Sequence, residues 1–491
     1  MKKNKLLIAF TVLIFALIVC SSTSAGTGTK DDPVSMVVTG EFTRAKMTEV
    51  LAEINGAKKY VSLDLSPMTC DVFDLEFLQR NGQEYVVSLK LPGATTSIVG
   101  SGSGLYLDRF SGLASVTIPK GVTSIWVGAF SGCTSLTAIN VDVANPAYSS
   151  QDGVLYNKGK TGLHTYPLGK AVSSFAIPNG VICIGEAAFF YCTDLASVTI
   201  PNSVTTIERW AFTDCHSLTN ITIPNSVTTI GEWAFSETSL TSVAIPNSVT
   251  AIGQNAFGCN SLTAINVDAV NTAYSSQDGV LYSKDKTVIQ TYPPGKASSS
   301  FAIPNSVTAI GRWAFTSCSG LTSVTIPNSV TAIGDGAFDN CTGLTNVTIP
   351  NSVTAIGREA FNKCSGLTNV TIPDGVTTIE VGTFQMCRSL TRVTIPDSVT
   401  AIGDWAFNLC TGLKSVTMPN SVTAIGRYAF QACNGLTSVT FEGTIPSNGF
   451  SNSFMGDLRA KFYATNPANG TPGTYKTTMP VGSSSVWTKQ P

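Results

Sequence analysis

The sequence predicts a repeat solenoid, in which short units stack along an axis and form a parallel β-sheet on one face. Three observations predict it. A unit of 23 residues recurs through most of the 491-residue chain, alternate positions before a recurring proline are apolar, and ten cysteines occupy one equivalent place in the unit. A unit this short cannot bury its apolar side chains alone, so neighbouring units must cover them. We therefore expect one elongated array and not several separate domains.

A single clean copy, residues 321–343, shows how the unit is built. Its first apolar residues alternate with Ser and Thr, the pattern of a strand that points every second side chain inward. Pro327 ends the strand because it cannot donate a ladder hydrogen bond, and Asn328 favours a turn. The last apolar residues have near-helical spacing and predict a short helical or 3₁₀ segment. The apolar positions of the copy are Leu321, Val324, Ile326, Val330, Ile333, Ala337, Phe338 and Cys341.

The same proline and the same phenylalanine return in eleven copies. Equivalent residues of stacked units lie above one another, so the phenylalanines are expected to form a stacked aromatic spine. The prolines are Pro119, Pro178, Pro201, Pro224, Pro246, Pro304, Pro327, Pro350, Pro373, Pro396 and Pro419. The phenylalanines are Phe130, Phe189, Phe212, Phe235, Phe257, Phe315, Phe338, Phe361, Phe384, Phe407 and Phe430.

This unit resembles the BspA-type leucine-rich repeat, which reads approximately L-xx-V-x-IP-xx-V-xx-IG-xx-AF-xx-C. The resemblance covers about residues 111–440 and holds at nearly every apolar position. It implies a right-handed leucine-rich repeat horseshoe of β/α or β/3₁₀ type with a parallel sheet on one face. It also implies display on a bacterial surface and adhesion, since members of this family are associated with binding matrix proteins such as fibronectin and with coaggregation between cells.

The repeated cysteines are expected to be small packing residues. A disulfide or metal ladder is the alternative, but a regular ladder points every thiol the same way and the chain contains no CxxC pair. One short copy carries Thr238 at this position, and Cys70 and Cys183 lie outside the ladder. The ladder cysteines are Cys133, Cys192, Cys215, Cys259, Cys318, Cys341, Cys364, Cys387, Cys410 and Cys433. We expect no metal site.

The chain begins with an export signal. Three lysines among the first five residues precede an uncharged run over residues 6–19, and a small-residue cleavage site ends at Ala25. This pattern predicts a secretory signal peptide over residues 1–25. The alternative is a relaxed lipobox, in which Cys20 would be acylated and would tether the mature protein. No later stretch is apolar for long enough to cross a bilayer, so no transmembrane span is expected.

Two units are longer than the others, at about residues 136–177 and 262–303. The nine-residue string at 148–156 returns unchanged at 274–282, which is 126 residues later and indicates duplication of a block. Within the second copy, residues 280–282 and 288–292 predict a β-hairpin, and a preceding Asp-Gly pair predicts a tight turn. We expect the two inserted hairpins to be structural, with recognition of a partner as the alternative.

Aromatic residues stand nine residues after the proline in five copies. Other copies carry Gly, Ala, Asn or Glu at the same place, so the position is expected to be at least partly exposed. Exposed aromatic side chains can grip a protein or sugar partner. The alternative is that they shield the edge of the core. The candidate ligand-binding residues are Trp210, Trp233, Trp313, Trp405 and Tyr428.

Composition argues against nucleic-acid binding and against catalysis. Lys and Arg number 30 against 31 Asp and Glu, no basic block occurs, and only 12% of residues are charged, so phosphate-driven binding is not expected. The chain has two histidines and no G-x-S-x-G, HExxH, P-loop or dinucleotide-binding fingerprint. We expect no enzyme activity, no catalytic residue and no cofactor.

The flanks of the array are less regular. Residues 26–110 contain a predicted helix over 44–55 and two stretches of apolar alternation, and we expect an N-terminal cap with degenerate repeats. Residues 441–491, rich in Gly, Pro, Thr and Ser, are expected to form a C-terminal cap. Caps are needed because the open edges of a solenoid invite aggregation.

These observations predict a secreted or surface adhesin of the bacterial outer envelope. Its expected partners are extracellular-matrix or other surface proteins, with fibronectin-like ligands foremost, bound through the solenoid. The alternative is a structural or immune-exposed envelope protein without a specific ligand.

Overall fold

The computed structural model describes residues 26–74, 81–99, 111–170, 172–478 and 481–491. The chain divides after Thr238 into two compact units. In each unit the backbone winds into successive coils whose equivalent strands pair in parallel. Each unit is therefore a parallel β-solenoid, and the predicted fold class is confirmed.

One repeat makes one coil with three segments. In the coil that starts at Leu321, a first strand covers Ser323–Thr325 and a shorter corner strand covers Ala332–Ile333. Turns then lead through the cysteine to the next coil. We call the surface formed by the first strands the strand face. The surface formed by residues between the corner strand and the cysteine is the turn face.

Neighbouring coils stack in strict register. Ser323, Val324 and Thr325 pair with Asn346, Val347 and Thr348, each exactly one repeat later in the chain. The corner strands keep the same offset. Val324 and Val347 are buried while the flanking Ser, Asn and Thr are exposed, because successive residues of a strand point to opposite sides. The strand face is therefore polar, and the buried side chains of successive coils form one core over residues 36–155 of the N-terminal unit and one over residues 280–487 of the C-terminal unit.

The first strands and the strands of the flanks form several sheets. In the N-terminal unit one sheet contains, in order, Val34–Val37, Val61–Asp64, Val86–Lys90, Ser115–Ile118 and Ala138–Val141, and Ser174–Ala176 pairs with Ser197–Thr199. In the C-terminal unit Ser242–Ile245 pairs with Ala264–Val267, and Ser415–Met418 pairs with Ser438–Phe441. The same unit has a five-stranded sheet of Ser300–Ala302, Ser323–Thr325, Asn346–Thr348, Asn369–Thr371 and Arg392–Thr394.

The corner strands stack beside them. In the N-terminal unit they are Gly40–Glu41, Met68–Thr69, Val72–Asp74, Ser97–Val99, Ser124–Ile125, Cys183–Ile184, Thr206–Ile207 and Thr229–Ile230. In the C-terminal unit they are Ala251–Ile252, Ala309–Ile310, Ala332–Ile333, Ala355–Ile356, Thr378–Ile379, Ala401–Ile402 and Ala424–Ile425.

The turn face differs from the helical or 3₁₀ segment that the spacing predicts. Its N–H groups alternate between two kinds of partner: Asp339 N donates to Gly336 O of the same coil at 2.9 Å, whereas Phe338 N donates to Ala360 O of the next coil at 2.7 Å. The bonds within the coil are three-residue turns of the 3₁₀ type. Left-handed residues, Gly336 at φ 58° and Asn340 at φ 59°, interrupt them. The backbone thus gives half of its donors to the neighbouring coil instead of continuing a helix.

The two long units contain the predicted hairpins, each extended by a further strand. The first long unit contains an antiparallel meander of three strands, Tyr148–Gln151, Val154–Asn157 and Gly162–Thr165. The last of these strands pairs in parallel with a corner strand. Asp152 and Gly153 both have positive φ, which is the backbone of a tight hairpin turn. The second unit repeats the arrangement with Tyr274–Gln277, Val280–Ser283 and Val288–Thr291. The meanders are therefore built into the corner sheets.

The predicted aromatic spine is present in both units. In the C-terminal unit the rings from Phe315 to Phe430 stack with centroids 4.8–5.5 Å apart and interplanar angles of 6–14°. Tyr292 of the long unit and Phe454 of the C-terminal flank extend the stack at its two ends. The ring separation follows the spacing of parallel strands, about 4.8 Å, so one aromatic ring per coil fills the core without a gap.

The ladder cysteines are buried packing residues, as predicted. Five successive thiols also donate a hydrogen bond that the sequence did not reveal: Cys341 Sγ lies 3.0 Å from Phe315 O, and the next four ladder cysteines repeat this contact at 3.1 Å. Burial raises the pKa of Cys133 and of Cys433 to about 12. A buried neutral thiol of this kind is chemically inert.

The flanks cover the ends of the two units. A helix, Arg44–Ala57, begins at Thr43, whose Oγ1 accepts from Lys46 N at 3.2 Å, and it buries Met47, Val50, Leu51 and Ile54. A 3₁₀ turn covers Gln83–Tyr85. At the other end Gly473–Lys476 pairs antiparallel with Ser438–Phe441 and is followed by Thr488–Lys489, while the helix Leu458–Tyr463 packs on the core. None of the helices in the described ranges has the length and apolarity needed to cross a membrane.

We predict that native protein of residues 26–491 exposes at most Cys70 and Cys183 to a thiol reagent. These two are half-buried, whereas the ten ladder thiols are buried. Titration with a chromogenic disulfide should therefore give no more than two fast equivalents in buffer and twelve in guanidinium chloride, the number of free cysteines in the described residues. A Cys70→Ser, Cys183→Thr variant should lose the fast phase. Fewer than twelve equivalents after unfolding would contradict the packing role by indicating disulfides.

Candidate functional site

The five aromatic candidates belong to a row of residues with left-handed backbone on the turn face. In all eleven copies the residue nine positions after the proline has φ between 48° and 72°. We call these residues the left-handed row. They are Gly128, Ala187, Trp210, Trp233, Asn255, Trp313, Gly336, Glu359, Gly382, Trp405 and Tyr428.

A left-handed backbone is costly for any residue with a Cβ atom. The cost is about 1–2 kcal/mol for an L-residue, and glycine avoids it. Three copies use glycine, which is the unstrained choice, while five carry a large aromatic side chain. The sequence did hold a signal for this conformation, because Gly and Asn, the residues that tolerate it best, interchange with Trp here. In the aromatic copies the strain must be offset by contacts that the side chain makes.

Trp313 makes such a contact with the next coil. A Cβ atom added to Gly336 would lie 2.5–2.7 Å from three carbons of the six-membered ring of Trp313. These nearly equal distances mean that the face of the ring, and not its edge, covers Gly336. Trp313 is half-buried as a result. The absent side chain at Gly336 is what allows the indole to lie down on the neighbouring coil, so this residue shields the core.

Trp210 and Trp233 are also half-buried. The guanidinium carbon of Arg209 lies 4.0 Å from the centroid of the Trp210 ring. Arg209 Nε in turn donates to Glu186 Oε1 at 3.0 Å. The Trp210 ring is therefore partly covered by a cation that is itself held by an acid, a favourable arrangement for an aromatic face.

Trp405 and Tyr428 are the exposed members of the set. Their side chains are 42% and 40% exposed, and their rings are nearly parallel, at 13°, with centroids 6.1 Å apart. The residue that follows Trp405 in the row is Tyr428 and not a glycine. Trp405 therefore stacks on the Tyr428 ring of the next coil, whereas Trp313 lies against the bare backbone of Gly336. The prediction of at least partial exposure is confirmed for the five aromatic residues, although Ala187 and Asn255 at the same position are buried. The structure separates two exposed aromatics from three half-buried ones.

In eight of the eleven copies a charged residue precedes the left-handed row, and charges on neighbouring coils are opposite in sign. Arg312 Nε lies 3.4 Å from Asp335 Oδ2 of the next coil, and the Asp335 Oδ1 atom accepts from Arg358 N at 2.9 Å. Asp404 Oδ1 accepts from Arg427 N in the same way at 2.6 Å. Exposed pairs of this kind add little stability, but they fix the side chains that border Trp405 and Tyr428.

A ladder of polar side chains runs behind this row. Asn362 Nδ2 donates to Asp339 Oδ1 at 2.7 Å, and Gln385 Nε2 donates to Asn408 Oδ1 at 3.4 Å. Burial raises the pKa of Asp339 to about 6, while the Lys363 charge and the bond from Asn362 lower it only in part. The other coils place an uncharged residue here, so Asp339 is the unfavourable member of the ladder in this part of the chain.

The described residues hold no group of three or more His, Cys, Asp or Glu side chains suited to a metal ion. His164 is half-buried beside Thr165, and its desolvation lowers its pKa. The ring of His216 bonds Glu237 O on the surface, at 2.8 Å. Cys20 and the predicted signal peptide lie outside the described residues.

We predict that Asp339→Asn stabilises the protein in a pH-dependent manner. Below about pH 4 the carboxyl is protonated in the folded and the unfolded chain, so the substitution should have little effect. Between about pH 4 and 6 the folded chain holds the proton more tightly than the unfolded chain, because its pKa is raised, and the native protein loses stability as the pH rises. Above pH 6 the variant should be more stable by about 1–3 kcal/mol.

The measurement is chemical denaturation of both proteins at pH 4 and pH 7. Asp374→Asn, which removes an exposed aspartate, is the control for loss of one negative charge. An equal stability gain for Asp339→Asn at both pH values would contradict the prediction.

Comparison with known proteins agrees with this geometry. The family model of the BspA type leucine-rich repeat region matches residues 106–152, 168–277, 295–414 and 331–456. No curated protein sequence matches the chain.

Several solved structures are similar. A leucine-rich cell surface protein from Faecalibacterium prausnitzii A2-165 is 28% identical, covers 75% of this chain and 91% of its own, and gives a TM-score of 0.46. A leucine-rich repeat protein from Eubacterium ventriosum is 22% identical, with 83% and 91% covered and a TM-score of 0.41. The pneumococcal vaccine antigen PcpA is 20% identical, with 76% and 85% covered and a TM-score of 0.42.

The matched segments together span about two thirds of the chain and coincide with the stacked coils. The repeat, its in-register stacking and the match to the family model lead to one conclusion: this chain belongs to the BspA-type leucine-rich repeat family.

Proposed function

We propose that this chain is an exported adhesin of the cell surface that binds a protein partner through its turn face, and that it is not an enzyme. The observation that carries the proposal is the exposed pair Trp405 and Tyr428. Two large aromatic rings stand partly in solvent on left-handed backbone, where three other copies use glycine. The repeat imposes this backbone in every copy, so what sets the pair apart is the exposure of two large aromatic rings, a feature typical of binding surfaces.

The surroundings of the pair suit a protein partner. Leu409 on the coil of Trp405 and Met386 on the preceding coil lie half-buried, four residues after the left-handed row, and also have left-handed backbone. Arg427 and Asp404 border the aromatic rings. An apolar centre with Trp, Tyr and Met, surrounded by a charged rim, is the composition of a protein–protein contact.

The nature of the partner follows from the family. Matrix proteins of the fibronectin kind are the leading candidates, because the BspA-type family is associated with them. A repetitive solenoid also suits a repetitive partner, since several weak contacts combine into tight binding when they are linked.

We predict that Trp405→Gly and Tyr428→Gly each weaken binding of residues 26–491 to immobilised matrix protein by about 5- to 30-fold. That range corresponds to about 1–2 kcal/mol for removal of an interface aromatic. Glycine is the residue that other copies use at this place, so the substitutions relieve backbone strain and should leave the fold intact. Glu359→Gly changes the same backbone position in a neighbouring part of the row and is the control.

Fibronectin, fibrinogen and laminin are the ligands to test. Saturable binding that the control retains and the two aromatic variants lose would support the proposal. Absence of saturable binding to all three would favour the alternative, an envelope protein without a specific ligand.

Export and anchoring need a separate experiment. Protease treatment of whole cells should degrade the array if it faces outward. Labelling with radioactive palmitate should mark the full-length product only if Cys20 is acylated, and a Cys20→Ala variant should then lose the label. A product that is resistant in whole cells and sensitive only after lysis would contradict surface display.

A further inference from the structure

A second surface, on the strand face, differs from its surroundings in charge. Along most of this face the outward residues are Thr, Ser and Asn. Towards the C-terminal end four exposed cations appear: Arg388, Arg392, Lys414 and Lys476. We call these four residues the basic strip.

The basic strip contains no acid. Arg388, Arg392 and Lys414 lie where their coils pass from the ladder cysteine into the first strand, and Lys476 ends the strand Gly473–Lys476 of the C-terminal flank. None of the residues 388–392, 411–415 and 434–438 is an Asp or Glu. Asp397 and Glu442 follow the far ends of the strands. Within the part of the chain that the structure describes, none of the four cations forms an ion pair, whereas Arg209 and Arg312 of the turn face are paired.

Arg392 and Lys476 lie on first strands or their neighbours and Lys414 directly precedes one, while the strand Ser438–Phe441, which carries no cation, lies between Lys414 and Lys476. Ser438 N donates to Lys414 O at 3.3 Å, and Lys414 N lies 3.5 Å from Thr391 O. Lys476 pairs directly with Ser438 and is on the same face. With strands about 4.8 Å apart, the strip extends over about 15 Å from Arg392 to Lys476.

Glycine keeps the surface flat along this line. The Lys414 Nζ atom lies 3.2 Å from the position that a Cβ of Gly435 would take. The lysine therefore lies across the next coil because Gly435 has no side chain there. Serine hydroxyls, from Ser415 and Ser438, stand between the cations. The result is a flat row of positive charges and hydroxyl donors.

We propose that the basic strip binds a linear sulfated polysaccharide. A single small anion could reach only one or two of these cations, and a flat face offers no pocket for it. An extended polyanion can contact all four, with charge-assisted hydrogen bonds to Arg and Lys, and it releases counterions as it binds. This site is separate from the proposed protein-binding surface on the turn face.

The test uses substitutions that the repeat itself supplies. The preceding coils carry Ser365, Asn369 and Thr391 where the strip has Arg388, Arg392 and Lys414. The triple variant Arg388→Ser, Arg392→Asn, Lys414→Thr should therefore fold normally, which circular dichroism checks. Binding of a heparin octasaccharide to residues 26–491 is measured by calorimetry at several salt concentrations. We expect the triple variant to bind about tenfold more weakly or worse, with a smaller dependence on salt.

A matched control removes three positive charges from the turn face. It combines Arg358→Gln, Lys363→Asn and Arg427→Gln, with residues that other copies place there, and it should bind heparin nearly as well as the native protein. Three results would overturn the proposal: no heparin binding by the native chain, an equal loss in the control, or equally tight binding of desulfated heparin or of anionic phospholipid vesicles. The Trp405→Gly variant should retain heparin binding, which separates this site from the proposed adhesin surface.

Discussion

The whole molecule depends on one constraint: each residue must lie on its equivalent one repeat later. Parallel pairing between coils sets this register, so Val324 lies against Val347 and each spine ring lies between two others. No coil has enough apolar side chains to form a core alone. The stacking of coils thus determines three things: which side chains are buried, which backbone groups form hydrogen bonds between coils, and which residue types recur in the core. It also explains why the core is made of repeated Phe and Cys, since only a side chain that fits on its own copy can recur without a gap.

The same constraint shapes the turn face. Its backbone donates alternately within the coil and to the next coil, and left-handed residues are needed to turn it back. A position that must be left-handed would most easily be glycine, yet Trp405 and Tyr428 occupy it with exposed rings. Because the repeat is regular, a copy that departs from it is easy to identify. A departure that packing explains, such as Trp313 on Gly336, is structural. A departure whose side chain stays partly in solvent, such as Trp405 or Tyr428, is a candidate for recognition of a partner.

The stacking of equivalent residues also determines where charged side chains lie. On the turn face, acids and bases of alternating sign face each other from coil to coil and compensate. On the strand face, most copies carry no charge, so a few cations are enough to define a local field. Arg392 and Lys414 stand in a strip without acids, where their field is not cancelled. The low charge of the whole chain, 12% of residues, is therefore compatible with two surfaces of different chemistry.

The amino-acid sequence by itself determined the period, the strand positions, the aromatic spine and the burial of the cysteines, because each depends on which residue recurs at which spacing. It also located the hairpins of the long units. The tertiary structure decided what depends on contacts between coils. The third strand of each meander and the alternating turn bonds arise from pairing with neighbouring backbone. The next coil also decides what each aromatic ring of the left-handed row contacts: Trp313 lies against Gly336, and Trp405 stacks on Tyr428. A residue's own repeat could not reveal these features, since the deciding atoms belong to the coil beside it.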